Sequence, residues 1–114
     1  MPYLFEFTYH NPTQIVFGPN SFARLGSLVP ADTKVLLLYG GGSIKGNGVY
    51  DKVMAALAGR DVVEFAGVEP NPTLETLSAA VDLAKRQKID FILGVGGGSV
   101  ADGAKYIACA ALYD

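Results

Sequence analysis

At 114 residues, half of them apolar and with a formal net charge of −2, the chain is one small globular domain and not a disordered segment. It carries no basic run, which excludes a footprint for nucleic acid or for an anionic membrane surface. Its longest apolar runs are strand-sized, far short of the roughly 20 residues of a spanning helix. The single cysteine, Cys109, rules out an internal disulfide and suits a reducing compartment. No charged-then-apolar leader opens the chain, because Met1-Pro-Tyr-Leu-Phe meets Glu6 at once. A soluble cytoplasmic protein is expected.

Tyr3 to Tyr9 and Gln14 to Phe17 are aromatic and β-branched and flank His10-Asn-Pro-Thr13, which predicts an N-terminal β-hairpin or a bent pair of short strands, turning at Asn11-Pro12. Gly18-Pro19-Asn20-Ser21 punctuates, and Asn20 or Ser21 can cap a short helix running to about Leu28. Val35 to Tyr39 is apolar without alternation, the mark of a strand buried on both faces of a parallel sheet. Val49, Val53 and Leu57 give a second helix its apolar stripe, and Val62 to Phe65 is a shorter strand. Asn71-Pro72-Thr73 opens a third helix, with Asn as the cap, a buried stripe of Leu74, Leu77, Val81 and Ala84, and Asp82, Lys85, Arg86 and Lys88 facing water. Phe91 to Val95 is the next core strand and Ser99 to about Leu112 the last helix. Strands alternating with helical crossovers predict an α/β, Rossmann-like parallel sheet with flanking helices, preceded by the hairpin.

Two glycine clusters carry the chemistry. Gly94-Val-Gly-Gly-Gly-Ser99 approaches the G-x-G-x-x-G pattern and lies between a strand and a helix, at the carboxyl edge where open α/β sheets bind ligands. Glycines let backbone approach a phosphate, and a helix start presents unpaired N–H groups to it. The bland alternative is a tight turn that needs glycine for sterics alone. Gly40-Gly-Gly-Ser-Ile-Lys-Gly-Asn-Gly48 also follows a buried strand, and alone it reads as a flexible connection. Parallel strands place both clusters on one edge, so a ligand with two separated anionic groups, such as a dinucleotide, could reach both. Lys45 and Ser43 are then candidates for an extra phosphate. An NAD site more often has Asp or Glu just after the strand, and Gly40 to Gly42 offer none, which favours NADP.

The remaining polar residues divide less sharply. Asp102 is either a carboxylate offsetting the partial charge at the helix start or an orienting group in the cofactor crevice. Lys105 is an i,i+3 partner for Asp102, Cys109 a small buried hydrophobe, and His10 a surface residue. One histidine cannot furnish a multi-imidazole metal site or a Ser-His-acid triad with partners of its own.

Four segments together resemble one known family. They are Phe7-Thr-Tyr-His-Asn-Pro-Thr-Gln-Ile-Val-Phe-Gly18, the Tyr39-to-Asn47 loop, Val68-Glu-Pro-Asn-Pro72 and Gly96-Gly-Gly-Ser-Val-Ala-Asp-Gly-Ala-Lys105. The family is that of the iron-containing (group III) alcohol dehydrogenases, nearest the butanol dehydrogenase and NADPH-dependent aldehyde reductase branch. The resemblance covers the chain in order and implies a dehydroquinate-synthase-like N-terminal domain. It implies hydride transfer between NAD(P) and small primary alcohols or aldehydes, with a divalent metal, Fe or Zn, in the full-length homodimeric parent. By position, Gly96, Gly97, Gly98, Ser99 and Val100 would line the cofactor diphosphate, with Asp102 close by and Asn71-Pro72 beside the crevice. Gly40 stands where NAD-preferring members often have Asp. Gly41, Gly42 and Ser43 would meet the adenosine ribose and its 2′-phosphate, which points to NADP, with NAD as the alternative.

In the family a helical domain with one Asp and three His metal ligands follows. Residues 1–114 are therefore expected to be an incomplete N-terminal NAD(P)-binding domain, inactive alone, with no catalytic or metal-ligating residue. The competing readings are a glycerol-dehydrogenase-like oxidoreductase and a stand-alone nucleotide-binding module.

Overall fold

The computed structural model describes residues 6–112. Its elements run α1 (Ser21–Leu28), β1 (Lys34–Tyr39), α2 (Ser43–Gly46), α3 (Val49–Ala56), β2 (Asp61–Phe65), α4 (Leu74–Arg86), β3 (Phe91–Val95) and α5 (Gly98–Ala110). The described residues form a three-stranded sheet in the order β2-β1-β3, parallel throughout. β1 is the central strand, and Val35 to Tyr39 are buried along its whole length, as the unbroken apolar run predicts.

Alternation along β1 sorts its side chains to two cores. Leu36 and Leu38 pack with Val81 and Ala84 of α4 and Val100 and Ile107 of α5. Val35, Leu37 and Tyr39 pack with Val53 and Leu57 at α3, Val29 after α1 and Ile44 of α2. The strand order thus places helices on both faces, the α/β layering expected from the alternating elements. At the amino ends, Asp90 fixes the β1–β3 register: its carboxylate accepts the Lys34 N–H at 3.0 Å, and its own N–H donates to the Lys34 carbonyl at 2.9 Å. Arg60 closes the end of α1, its Nη2 donating to the Gly26 and Val29 carbonyls at 2.6 and 2.8 Å. Such carbonyls lack partners within the helix itself.

Three local expectations are corrected. Residues 3–5 of the predicted hairpin lie outside the described residues, and residues 6–17 form no strand. The turn chemistry is present, since Asn11 Oδ1 accepts the Thr13 N–H at 3.0 Å. Tyr9, Ile15 and Phe17 are exposed, so among the described residues this segment buries little apolar surface, and a two-stranded ribbon without a third strand or a helix is marginal. The cap of α4 is Thr73 and not Asn71, which sits at φ +52 two residues earlier. Thr73 Oγ1 accepts the Thr76 N–H at 3.1 Å, while Glu69 accepts the Thr73 N–H at 2.9 Å and the Thr76 hydroxyl at 3.2 Å. These bonds hold the Glu69 carboxyl below its ordinary pKa, the Thr73 N–H most of all. With the helix starting two residues later than Pro72 suggested, Leu74 lies in its first turn and is 66% exposed, not part of the buried stripe.

Two substitutions separate these contributions. Leu36→Ala removes a fully buried side chain from the central strand and is expected to cost about 2–5 kcal/mol. Thr73→Ala removes a cap and is expected to cost about 1 kcal/mol. Denaturant unfolding measures both, and equal losses would contradict the central place given to β1.

Candidate functional site

The carboxyl ends of β1 and β3 are neighbours, with Tyr39 opposite Val95 in the ladder, so the two glycine turns leave the sheet side by side. This is the edge at which open α/β sheets take their ligands. The two turns are built differently.

The second turn divides its glycines by task. Gly96 has φ +151, and a Cβ there would lie 2.9 Å from Val100 Cγ2. Glycine is a steric requirement at that position. A Cβ on Gly94 would come within 3.3 Å of Ala104 Cβ, so β3 and α5 approach closely. Gly97 and Gly98 are unlike these: neither has a positive φ, and an added Cβ would meet nothing within 4 Å. The folded chain does not demand glycine there. Gly97 is the N-cap of α5, with no side-chain cap and no acidic residue in the first turn. The N–H groups of Gly98, Ser99 and Val100 precede the first intrahelical bond, which Ala101 donates to Gly97 at 3.1 Å.

The first turn is stitched to the chain leaving β2. Gly67 N–H donates to the Gly40 carbonyl at 2.9 Å and Val68 N–H to the Tyr39 carbonyl at 3.2 Å. Gly40 is confined by this, since a Cβ there would lie 3.3 Å from the Val68 carbonyl oxygen. Gly42 has φ +103, and Gly41 faces open space. Ser43 to Gly46 then form the short helix α2, a piece the sequence left as loop. A cavity of about 400 Å³ opens here, lined by Tyr39, Gly40, Gly41, Gly42, Lys45, Ala66 and Gly67. A larger one, about 640 Å³, lies at the opposite end of β3 among Ala84, Lys88, Phe91, Ala108 and Leu112 and includes neither glycine turn. Position relative to the strands, not volume, selects between them.

The other residues singled out in the sequence are located as follows. Asn71 is brought to the second turn, its N–H reaching Ser99 Oγ at 3.4 Å, and Pro72 follows it there. Val100 has its side chain in the core, so only its backbone N–H faces the edge. Asp102 is exposed and lies past the first turn of α5, since the helix starts at Gly98, so its place at the helix start is corrected. No ion pair joins Asp102 to Lys105 among the described residues. Cys109 is exposed, contrary to the buried role expected of it, because α5 turns Val100, Gly103 and Ile107 inward instead. His10 is exposed.

A polar cluster beside the first turn went unnoticed in the sequence. Tyr39 and Tyr50 donate their hydroxyls to the two oxygens of Glu64, at 2.8 and 2.5 Å. Their rings meet edge-on with centroids 6.1 Å apart. Lys45 Nζ sits over both, 5.6 Å from the Tyr39 centroid and 5.0 Å from that of Tyr50, a cation–π arrangement. The Tyr50 hydrogen bond leads the causes that hold the Glu64 carboxyl below its usual range. The same bond leads those that push the Tyr50 hydroxyl up to about 12. The available signal was Glu64 itself, an acidic residue inside an apolar strand.

The model of the iron-containing alcohol dehydrogenase family matches residues 12–114. The chain belongs to that family. The NADPH-dependent aldehyde reductase YqhD of Escherichia coli is 55% identical over 108 residues, 95% of this chain and 28% of that protein. A probable NADH-dependent butanol dehydrogenase of Bacillus subtilis is 53% identical over 112 residues, 96% of this chain and 29% of the relative. The crystal structure of E. coli YqhD superposes with a TM-score of 0.91 at 54% identity, covering 96% of this chain and 28% of that one. The chain therefore spans less than a third of the length of these relatives. Despite the family's name, the described residues hold no group of three or more His, Cys, Asp or Glu that could bind a metal ion, so they do not fit a metal centre. Nor is any helix of the described residues long and apolar enough to cross a membrane.

The depressed carboxyl of Glu64 fixes the sign of its pH dependence. Its bonds to the tyrosines contribute above the ordinary carboxylate range and are lost as pH falls through the lowered value. At the alkaline end, ultraviolet titration should find Tyr50 ionising near 12. Glu64→Gln should return it toward the ordinary value of about 10. An unchanged Tyr50 titration in that variant would contradict the hydrogen-bonded assignment.

Proposed function

We propose that residues 1–114 are the cofactor-binding α/β portion of a longer, metal-dependent oxidoreductase that interconverts small primary alcohols and aldehydes with NADP(H). The observation that carries this reading is the pairing of two glycine turns on one sheet edge, with open space above Gly41, Gly97 and Gly98. In the site so assembled, the N–H groups of Gly98, Ser99 and Val100 receive the cofactor diphosphate at the start of α5, and Gly97 admits it closely. Ser99 adds a hydroxyl, Asn71 and Pro72 wall the crevice beside it, and Asp102 stands at its outer rim. Gly40, Gly41, Gly42 and Ser43 take the adenosine end.

Hydride chemistry belongs to the nicotinamide, and these residues hold and orient the cofactor. Residues outside this segment supply the metal ligands and the substrate pocket, so the segment alone is inactive. The complete enzyme is a cytoplasmic homodimer. The butanol dehydrogenase and aldehyde reductase relatives support this substrate class over a glycerol-dehydrogenase-like one.

Gly97→Val and Gly96→Ala test the assignment in the full-length protein. A Cβ added at Gly97 meets nothing within 4 Å, so Gly97→Val should cost no more than about 1 kcal/mol, through the weaker N-cap. NADPH affinity measured by calorimetry should nevertheless fall at least about tenfold. Gly96→Ala should instead destabilise by about 1–3 kcal/mol. Unchanged NADPH binding by Gly97→Val would refute the diphosphate site.

A further inference from the structure

We propose that Glu69 is a positioning residue for the cofactor: its carboxylate clasps the loop Pro70-Asn71-Pro72 and so holds the Asn71 side-chain amide, free to donate, beside the start of α5. This role deepens the dinucleotide reading above and rests on it.

Residues 67–73 connect β2 to α4 and are tied to both glycine turns. At one end the Gly67 and Val68 N–H groups donate to the Gly40 and Tyr39 carbonyls of the first turn. Further along, the Asn71 N–H reaches Ser99 Oγ of the second turn at 3.4 Å. Asn71 itself has φ +52, a left-handed backbone that asparagine tolerates better than most residues. The proline that follows makes the position harder to hold, because a residue before proline is driven toward extended backbone. Such a conformation persists only where its surroundings over-determine it.

Glu69 supplies that restraint. One of its carboxylate oxygens accepts the Thr73 N–H at 2.9 Å, and the other accepts the Thr76 hydroxyl at 3.2 Å. The first bond closes a ring over residues 70–72, whose two prolines have no N–H to hold the loop by. Both bonds fasten the loop to α4, which is anchored in the core by Ala80, Val81 and Ala84. A helix cap alone does not account for Glu69, since Thr73 Oγ1 already accepts the Thr76 N–H. Asn71 is the opposite case. It is exposed, and its side-chain amide has no hydrogen-bond partner among the described residues. A carboxamide carries two N–H donors, and this one belongs to a residue bonded to Ser99, whose own N–H precedes the first intrahelical bond of α5. A restrained backbone that presents an unused donor next to an anion cradle loses little freedom when the ligand arrives.

Calorimetric titration of the full-length protein with NADPH, across a double-mutant cycle, tests the role. Glu69→Ala and Asn71→Ala should each weaken binding about tenfold. The double variant should bind no worse than Asn71→Ala, because Glu69 acts through Asn71. Glu69→Gln should stay within about twofold of the unaltered protein, its carbonyl accepting the Thr73 N–H and its amide donating to the Thr76 hydroxyl. Thr73→Ala leaves both Glu69 bonds in place, so it should lower the melting temperature with NADPH affinity unchanged. If Glu69→Ala does not fold, Thr76→Val takes its place in the cycle: it removes one of the two bonds and should weaken binding about threefold, again only while Asn71 is present. An unchanged affinity in Glu69→Ala, additive losses in the double variant, or a loss in Glu69→Gln as large as in Glu69→Ala, which is what a charge acting on the helix start would give, overturns the clasp and leaves the dinucleotide site standing. Failure of the unaltered protein to bind NADPH overturns both.

Discussion

Parallel pairing on both sides of β1 is the constraint on which everything else depends. Val35 to Tyr39 are excluded from water on both faces, so β1 must be central and must carry helices above and below. Because β2 and β3 pair with it in the same direction, their carboxyl ends fall on one edge with that of β1. The edge is thus a consequence of burial. Residues that look unrelated in sequence, Gly41, Gly67 and Gly97, reach the same face of the molecule because three apolar strands cannot satisfy both their backbones and their side chains in another order.

Glycine has two distinct uses along that edge. At Gly96 and Gly94 the backbone and its neighbours leave no room for a side chain, and the fold itself fixes the residue. At Gly97, Gly98 and Gly41 there is room, and the conformational entropy cost of glycine is not offset by any contact in the folded chain. Space that a side chain could fill, next to helix N–H groups without acceptors, is what an anionic ligand requires.

Most of this architecture was legible in the sequence because it is written in local patterns. The continuous run Val35 to Tyr39, the stripe of Leu77, Val81 and Ala84, and both strand-to-glycine-to-helix transitions were readable one segment at a time. Errors arose where the answer depends on a distant partner. Tyr9, Ile15 and Phe17 carry strand chemistry, yet no element of the described chain pairs with them. Leu74 and Cys109 have apolar or ambivalent side chains whose burial depends on the phase at which α4 and α5 meet the sheet. Asn71 and Thr73 both favour caps, and the bonds that Glu69 makes to Thr73 and Thr76 decided between them. The Tyr39–Glu64–Tyr50 cluster joins two strands and a helix, and no spacing rule within one segment reports such a contact.

The central claim is that the two glycine turns serve one ligand. Hydrogen–deuterium exchange of the full-length protein with and without NADPH tests it directly. Peptides spanning residues 40–45 and 96–102 should gain protection together, at the same ligand concentration, while the segment lining the cavity at the other end of β3, residues 88–92, stays unchanged. Protection confined to one turn, or appearing at residues 88–92 instead, would contradict a dinucleotide bridging the carboxyl edge of the sheet.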